Sequence, residues 1–207
     1  MGQKIWIIGG STGIGRELAL QYAADGKDVV ISARSEETLA EVAGIHPDRI
    51  TALPIDVTDV PSISAAVETL YGDGAGPDIV ILGAGAYQPM SVDHFSSEKA
   101  AKIMEVNYLG VVRVIEQVLP FYRKANAGHL VVLASVAGYQ GLPLALAYGP
   151  SKAALINLSE GLRAEMAGSG ISIQLVNPGF VKTPLTAGNK FPMPFLMEAD
   201  DAARRIR

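Results

Sequence analysis

The chain has 207 residues, enough for one well-buried domain and too few for two full ones. Hydrophobic residues make up 49% and charged residues 18%, with 17 basic against 21 acidic side chains and a formal charge of −4. No basic block stands out beyond the short "RRIR" at the end, which argues against a nucleic-acid surface, and the lack of cysteine excludes disulfides, zinc thiolate sites and a thiol nucleophile.

In chain order, "KIWII" (4–8) reads as the first strand and is followed by a helical pattern from Ile14 to Ala24. "DVVISA" (28–33) precedes "EETLAEVAG", and "RITALPI" (49–55) precedes "VPSISAAVETLYG". "PDIVILGAG" (77–85) leads into one long helical pattern over roughly 97–124, where Pro120 predicts a kink or a stop. "GHLVVLAS" (128–135) leads into a helix from about Tyr148 to Ala167, and "ISIQLVNPG" (171–179) is the last strand-like run. Apolar, β-branched runs alternating with amphipathic segments predict βα units and a doubly wound parallel sheet with helices on both faces. No linker, repeat or low-complexity tract divides the chain, so residues 1–207 read as a single domain. No apolar run approaches the ~20 residues that span a membrane. The first strand begins at Lys4, too early for a leader, and the expected location is the cytoplasm.

The first strand runs into "GGSTGIGRELAL", with Gly9, Gly13 and Gly15 at G-x-x-x-G-x-G spacing. Glycine is needed where a backbone turns tightly and approaches a pyrophosphate, and the next helix aims free N–H groups at the phosphates. Strand, glycine turn and helix in that order predict a dinucleotide site. An acidic residue at the end of the second strand would bind an unphosphorylated ribose. This chain has "ISARS" there: Ala33 removes the carboxylate and Arg34 offers a guanidinium to a 2′-phosphate, so NADP(H) is favoured over NAD(H).

"YGPSK" (148–152) places Tyr148 and Lys152 four residues apart, on one helix face, with Pro150 in the first turn where its missing N–H costs least. A phenol of pKa near 10 needs a shift of about three units to act as acid and base near pH 7. A neighbouring ammonium and a positive cofactor ring are a source for it. Ser135 ends the fifth strand run, thirteen residues earlier, and Asn107 interrupts a helical pattern for which asparagine is a poor former.

The glycine loop, Asn107, Ser135, "YGPSK" and "NPG", in that order, resemble the short-chain dehydrogenase/reductase family in its TGxxxGxG/YxxxK form, over essentially the whole chain. The resemblance implies a Rossmann domain and roles residue by residue. Tyr148 would donate a proton to a carbonyl oxygen or remove it in reverse. Lys152 would bind the nicotinamide ribose and lower the tyrosine pKa; Ser135 would orient the substrate oxygen. Asn107 would hold a water that relays protons from Lys152. Cofactor contacts are implied for Gly9, Ser11, Thr12, Gly13, Ile14, Gly15 and Arg34, and for Asp56 and Val57 beside adenine. They are also implied for Gly83, Ala84 and Gly85 beside the adenosine ribose, and for Tyr148, Lys152, Pro178, Gly179, Val181 and Thr183 around the nicotinamide.

Three features depart from that family pattern. Ile8 stands where a threonine usually opens the glycine loop, and "LGAG" replaces "NNAG", so Gly83 offers no side chain to buttress the loop. The run "ADDAARRIR" begins a helix with Asp200 and Asp201 at its positive end and stops at Arg207, so the family's seventh strand is expected to be missing, with a bare sheet edge.

The stretch 183–197, with three prolines among Leu, Phe and Met, matches the family's variable substrate lid; its apolar character suggests a hydrophobic or amphipathic carbonyl or alcohol. Gln88, Met90, Val136, Tyr139 and Leu142 are candidate pocket walls. His46, His94 and His129 have no ligand spacing, and no metal is expected. The helices at 97–124 and 148–167 are candidates for a homodimer or homotetramer interface. The reading is a carbonyl reductase or alcohol dehydrogenase; the alternatives are a non-catalytic dinucleotide sensor and a lyase or epimerase on the same fold.

Overall fold

The computed structural model describes residues 3–74, 76–189 and 191–207. Lys190, within the expected lid, lies outside them.

Six strands form one parallel sheet: β1 (Lys4–Ile8), β2 (Asp28–Ser32), β3 (Ile50–Ala52), β4 (Ile79–Leu82), β5 (Gly128–Leu133) and β6 (Ile171–Val176). Their order across the sheet is β3-β2-β1-β4-β5-β6, with every neighbouring pair parallel. Strand order therefore reverses between β1 and β4, and the loops leaving those two strands diverge around a crevice at the carboxyl edge. The helices are α1 (Gly13–Ala24), α2 (Glu36–Ala43), α3 (Val60–Tyr71), α4 (Ser97–Met104), α5 (Gly110–Ala125), α6 (Tyr148–Glu165) and α7 (Ala199–Ile206).

Strand periodicity sorts the core into two layers. Ile5, Ile7, Val29, Ile31 and Ile81 face one way and pack with Leu18 of α1, Leu39 of α2 and Ile206 of α7. Trp6, Ile8, Val30, Val80 and Leu82 face the other way, against Ile63 of α3, Val114 and Val118 of α5 and Leu155 of α6. Both faces of the sheet are covered, which is why the strands read as unbroken apolar runs. The Trp6 indole would be an unsatisfied donor in that core, and it donates to Ser32 Oγ at 2.8 Å, between two fully buried residues.

The single long helix read over 97–124 is two helices. A π turn, Glu105–Leu109, separates α4 from α5 and carries the inward-facing Asn107. The stop at Pro120 does not occur: α5 continues to Ala125, because Pro120 is on the solvent side and only one outward carbonyl loses its helical donor. Strand ends are shorter than the apolar runs, since the ladder gives way to irregular loops at the carboxyl edge.

Candidate active site

The glycine loop is pinned from both neighbouring strands. Gly9 and Gly10 N–H groups both donate to Ser32 O, at 2.7 and 3.1 Å, and Gly83 N–H donates to Ile8 O at 2.8 Å. Gly9 has φ +89°, and a Cβ there would lie 2.7 Å from the Gly83 carbonyl carbon, so no other residue fits between the loops of β1 and β4. Ile8 in place of threonine leaves this anchorage to the backbone and fills the core instead. Gly83 has its own cause: a Cβ there would meet Leu133 Cδ1 at 3.0 Å and Ile8 O at 3.2 Å, so Leu133 takes up the room an asparagine would need.

At the start of α1, Thr12 makes no side-chain cap and the first turn holds no acidic residue. Its N–H groups and positive end are thus left for an anion. Gly13, at φ +54°, faces Thr183, whose Cγ2 would stand 2.9 Å from a Cβ, so the base of the expected lid meets the loop. A cleft of ≈390 Å³ opens beside it, lined among others by Ser11, Thr12, Gly13, Arg16, Thr38 and Lys182; Tyr148, Ser135 and Lys152 do not border it.

Arg34 follows β2 and is exposed, with Ala33 before it. Asp56 sits across from it: hydrogen bonds from the Thr58 N–H and hydroxyl, both 2.8 Å, hold its carboxyl below the ordinary value, with a smaller downward contribution from Arg34. Val57 is buried and fills the space beside Gly110, where a Cβ would approach Val57 Cγ2 to 2.7 Å.

Tyr148, the first residue of α6, and Lys152, one turn on, both turn inward. Lys152 is 5% exposed; its Nζ donates to Leu133 O at 2.9 Å and lies 5.6 Å from the centre of the Tyr148 ring. Burial without an acidic partner depresses the Lys152 pKa to about 8. Ser135, at the end of β5, is buried; its Oγ accepts from Ala137 N–H at 3.2 Å and faces Pro178 O at 3.5 Å.

The Tyr148 phenol is pushed above its ordinary value by burial, pulled down by its hydrogen bond with Ser135, and pushed up again by Tyr87. The lowered tyrosine pKa expected from Lys152 is therefore not a property of the protein's own groups. The lysine is itself desolvated, and Ser135 is the group that favours the phenolate.

Asn107 is 0% exposed and holds the site together from the π turn. Its Oδ1 accepts from Ala86 N–H at 2.7 Å, while Nδ2 donates to Ala86 O at 3.0 Å and to Ser151 Oγ at 2.9 Å. Both amide hydrogens are spent, so a relay water held by Asn107 is left with the second lone pair of Oδ1 or the main-chain carbonyl. Gly85 keeps the front of this group open: a Cβ there would stand 3.8 Å from both Asn107 Oδ1 and Lys152 Nζ.

The nicotinamide-side segment is laced to the same edge. Pro178 O accepts from Val136 N–H at 3.1 Å, and Val181 O accepts from Thr186 Oγ1 at 2.7 Å. Gly179 is exposed. Met197 pairs with Val181, and Phe191 lies edge-on to Phe180 at 6.0 Å. Ala84 is half-buried against the core, and Gly85 is exposed. Of the expected pocket walls, Val136, Tyr139 and Leu142 are exposed, whereas Met90 is 1% exposed and packs with Ile103 and Ala147 as core. Among the described residues no cluster of metal-ligating side chains occurs, and no helix is long and apolar enough to cross a membrane.

Two residues at the site escaped the sequence reading. Tyr87 meets the Tyr148 ring edge-on at 5.3 Å, and its only signal was an aromatic just past the "GAG" loop. Ser151, inside the quoted "YGPSK", is the partner of Asn107.

Residues 3–191 match the short chain dehydrogenase family. A protein of Myxococcus xanthus described as an uncharacterized oxidoreductase is 35% identical over 202 residues, 95% of this chain and 79% of its own. A short-chain dehydrogenase from Sphingobium yanoikuyae, solved in complex with NADPH, superposes with a TM-score of 0.89 at 29% identity, over 98% of this chain and 82% of that one. A variant of actinorhodin polyketide ketoreductase solved with NADPH gives a TM-score of 0.90 at 25% identity, over 99% and 88%. By the family match, the sheet order and the oxidoreductases it resembles, this chain belongs to the short-chain dehydrogenase family.

Proposed function

We propose that this protein is an NADP(H)-dependent oxidoreductase that interconverts a carbonyl and an alcohol, with Tyr148 as general acid and base. The observation that carries the reading is the meeting of Tyr148, Ser135 and Lys152 at the carboxyl edge. Two elements, the end of β5 and the first turn of α6, bring an acid, a hydroxyl donor and a buried cation together beside the loop that leaves β4.

A nicotinamide bound here would supply a hydride to the carbonyl carbon or take one up in reverse. Ser135 holds the substrate oxygen through its hydroxyl, and Tyr148 gives that oxygen a proton as charge develops on it. Burial keeps the phenol protonated at neutral pH, which loads it as the acid in the reducing direction. Lys152 Nζ lies 5.6 Å from the centre of the tyrosine ring, and with no side chain at Gly85 in front of it, it would bind the nicotinamide ribose. Gly9, Ser11, Thr12, Gly13, Ile14 and Gly15 take the pyrophosphate against the open turn of α1. Arg34 would pair with the 2′-phosphate where a carboxylate would repel it. Asp56 and Val57 would flank the adenine, and Gly83, Ala84 and Gly85 the ribose. Pro178, Gly179, Val181 and Thr183 would flank the nicotinamide.

A hydrophobic or amphipathic substrate is supported by the rim. Val92, Phe95, Tyr139, Leu144, Phe195 and Leu196 are exposed on the loops that leave the carboxyl ends of β4, β5 and β6. Met90 N–H donates to Leu144 O at 3.0 Å, and Asn177 Nδ2 to Tyr139 Oη at 2.7 Å. Exposed apolar side chains grouped around a cleft are the mark of a binding surface.

The test pairs binding with turnover. Fluorescence titration should give NADPH at least tenfold tighter than NADH, with Arg34→Ala erasing most of the difference. Tyr148→Phe should abolish turnover of a broad carbonyl panel and leave the NADPH affinity within twofold. An active phenylalanine variant ends the mechanism; equal affinities end the Arg34 argument.

A further inference from the structure

The first turn of α6 carries Tyr148 and Lys152, and something must fix its distance from the loop that leaves β4. Ser151 is 0% exposed and sits between the two. Its Oγ donates to Tyr148 O at 2.7 Å and accepts from Asn107 Nδ2 at 2.9 Å. Asn107 in turn grips Ala86 through both its backbone groups, at 2.7 and 3.0 Å. One buried chain of hydrogen bonds thus runs from the β4 loop, through the π turn, to the backbone of the residue proposed as acid and base.

We infer that Ser151 is a positioning residue: acting through Asn107, it holds Tyr148 and Lys152 in register with the Gly83–Ala86 loop. This rests on the proposed function. A serine that donates back to a carbonyl one turn earlier is commonplace in helices. The same helix supplies the comparison: Ser159 is equally buried and donates to Leu155 O at 2.7 Å, with no partner outside α6 among its hydrogen bonds. Ser151 differs in its second bond, to a residue 44 positions away. Removing that hydroxyl leaves one hydrogen of a fully buried amide without an acceptor and cuts the tie between α6 and the loop. The reacting groups then lose their fixed spacing, to which catalysis is steeply sensitive.

Ser151→Ala is expected to lower kcat about tenfold on the best substrate of a carbonyl panel, with KM and NADPH affinity within twofold of wild type. Ser159→Ala should leave kcat within twofold. The double variant with Asn107→Ala should be no slower than Asn107→Ala alone, since the two side chains act as one unit. Without cofactor, hydrogen exchange at the Ala86 amide should quicken at least tenfold in Ser151→Ala and stay unchanged in Ser159→Ala. Ser151→Cys, which keeps the size and weakens both bonds, should fall between wild type and alanine, and it serves if alanine does not fold. Wild-type turnover by Ser151→Ala, multiplying penalties with Asn107→Ala, or equal losses at Ser159 would overturn the inference while leaving the proposed function intact. A wild-type protein that turns over no carbonyl compound removes both.

Discussion

Among the lysines and arginines described, Lys152 is the one that burial makes costly to keep charged. It has one hydrogen-bond acceptor, the Leu133 carbonyl, and no carboxylate among the groups that shift it, so burial alone takes its pKa from 10.5 to about 8. The unfolded chain would bind a proton there up to pH 10.5, while the folded one releases it above about 8. Between those values the unfolded state holds more protons, and stability from this group rises with pH; below about pH 8 the folded protein carries the full penalty. Lys152→Met is therefore expected to raise the melting temperature by about 2–4 °C at pH 7. The gain should shrink as pH climbs from 8 and vanish near 10.5. Calorimetry of both proteins across that range checks it, and a gain that grows with pH would reverse the argument. The same variant should be inactive, which is the ordinary trade of stability for function at a buried charge. Tyr148 follows the other sign: burial raises it, so its proton is retained on folding, and Ser135 supplies the opposing pull.

At the scale of elements, two loops hold apolar residues in backbone conformations that ordinary side chains avoid. Leu144 has φ +62° and Phe195 φ +55°, and Phe195 is 97% exposed. Strained, exposed, apolar positions on two carboxyl-edge loops, those after β5 and β6, would suit a clamp on a bulky substrate. Replacing each by glycine removes the strain and the contact together, so stability should hold within about 0.5 kcal/mol, while KM for carbonyls with long apolar chains rises about tenfold. Small carbonyls should be unaffected, and steady-state kinetics along a homologous series of ketones decides it; a uniform KM rise would remove the clamp. The elements themselves were largely legible beforehand, because a sheet covered on both faces leaves unbroken runs such as "KIWII" and "HLVVL" between amphipathic stretches. The π turn at 105–109 was not, since one extra residue per turn barely disturbs the apolar pattern, and only the misfit Asn107 marked it. The nearness of Tyr148, Lys152 and Ser135, the residues proposed as acid, cation and hydroxyl donor, was legible from spacing and strand ends. Tyr87 and Ser151 were not, because their roles come from contacts 61 and 44 positions away, which no local pattern encodes.

For the whole molecule, the reversal of strand order between β1 and β4 fixes where chemistry can sit, and it leaves the outer face of α5 free of that duty. That face presents Glu116, Pro120 and Arg123 at spacings of four and three, with Leu109 of the π turn seven residues ahead of them and a shallow groove along the C-terminal half of α5. Its charges are arranged head to tail about a point between Leu119 and Pro120. Two copies of α5 crossing antiparallel there would set Glu116 against Arg123 of the partner subunit, twice, around an apolar centre, as a two-fold interface requires. A homodimer, alone or within a tetramer, is the expected assembly, and light scattering should return a multiple of 21.7 kDa. Pro120→Glu is the informative variant. It restores a helical N–H and so should not weaken the fold, but it places two carboxylates at the two-fold axis. It should drive this contact apart and lower the measured mass, while Tyr148 and the glycine loop, on other elements, keep their NADPH affinity. A wild-type mass of 21.7 kDa, or a Pro120→Glu protein that assembles as wild type does, would show that α5 is not the meeting face.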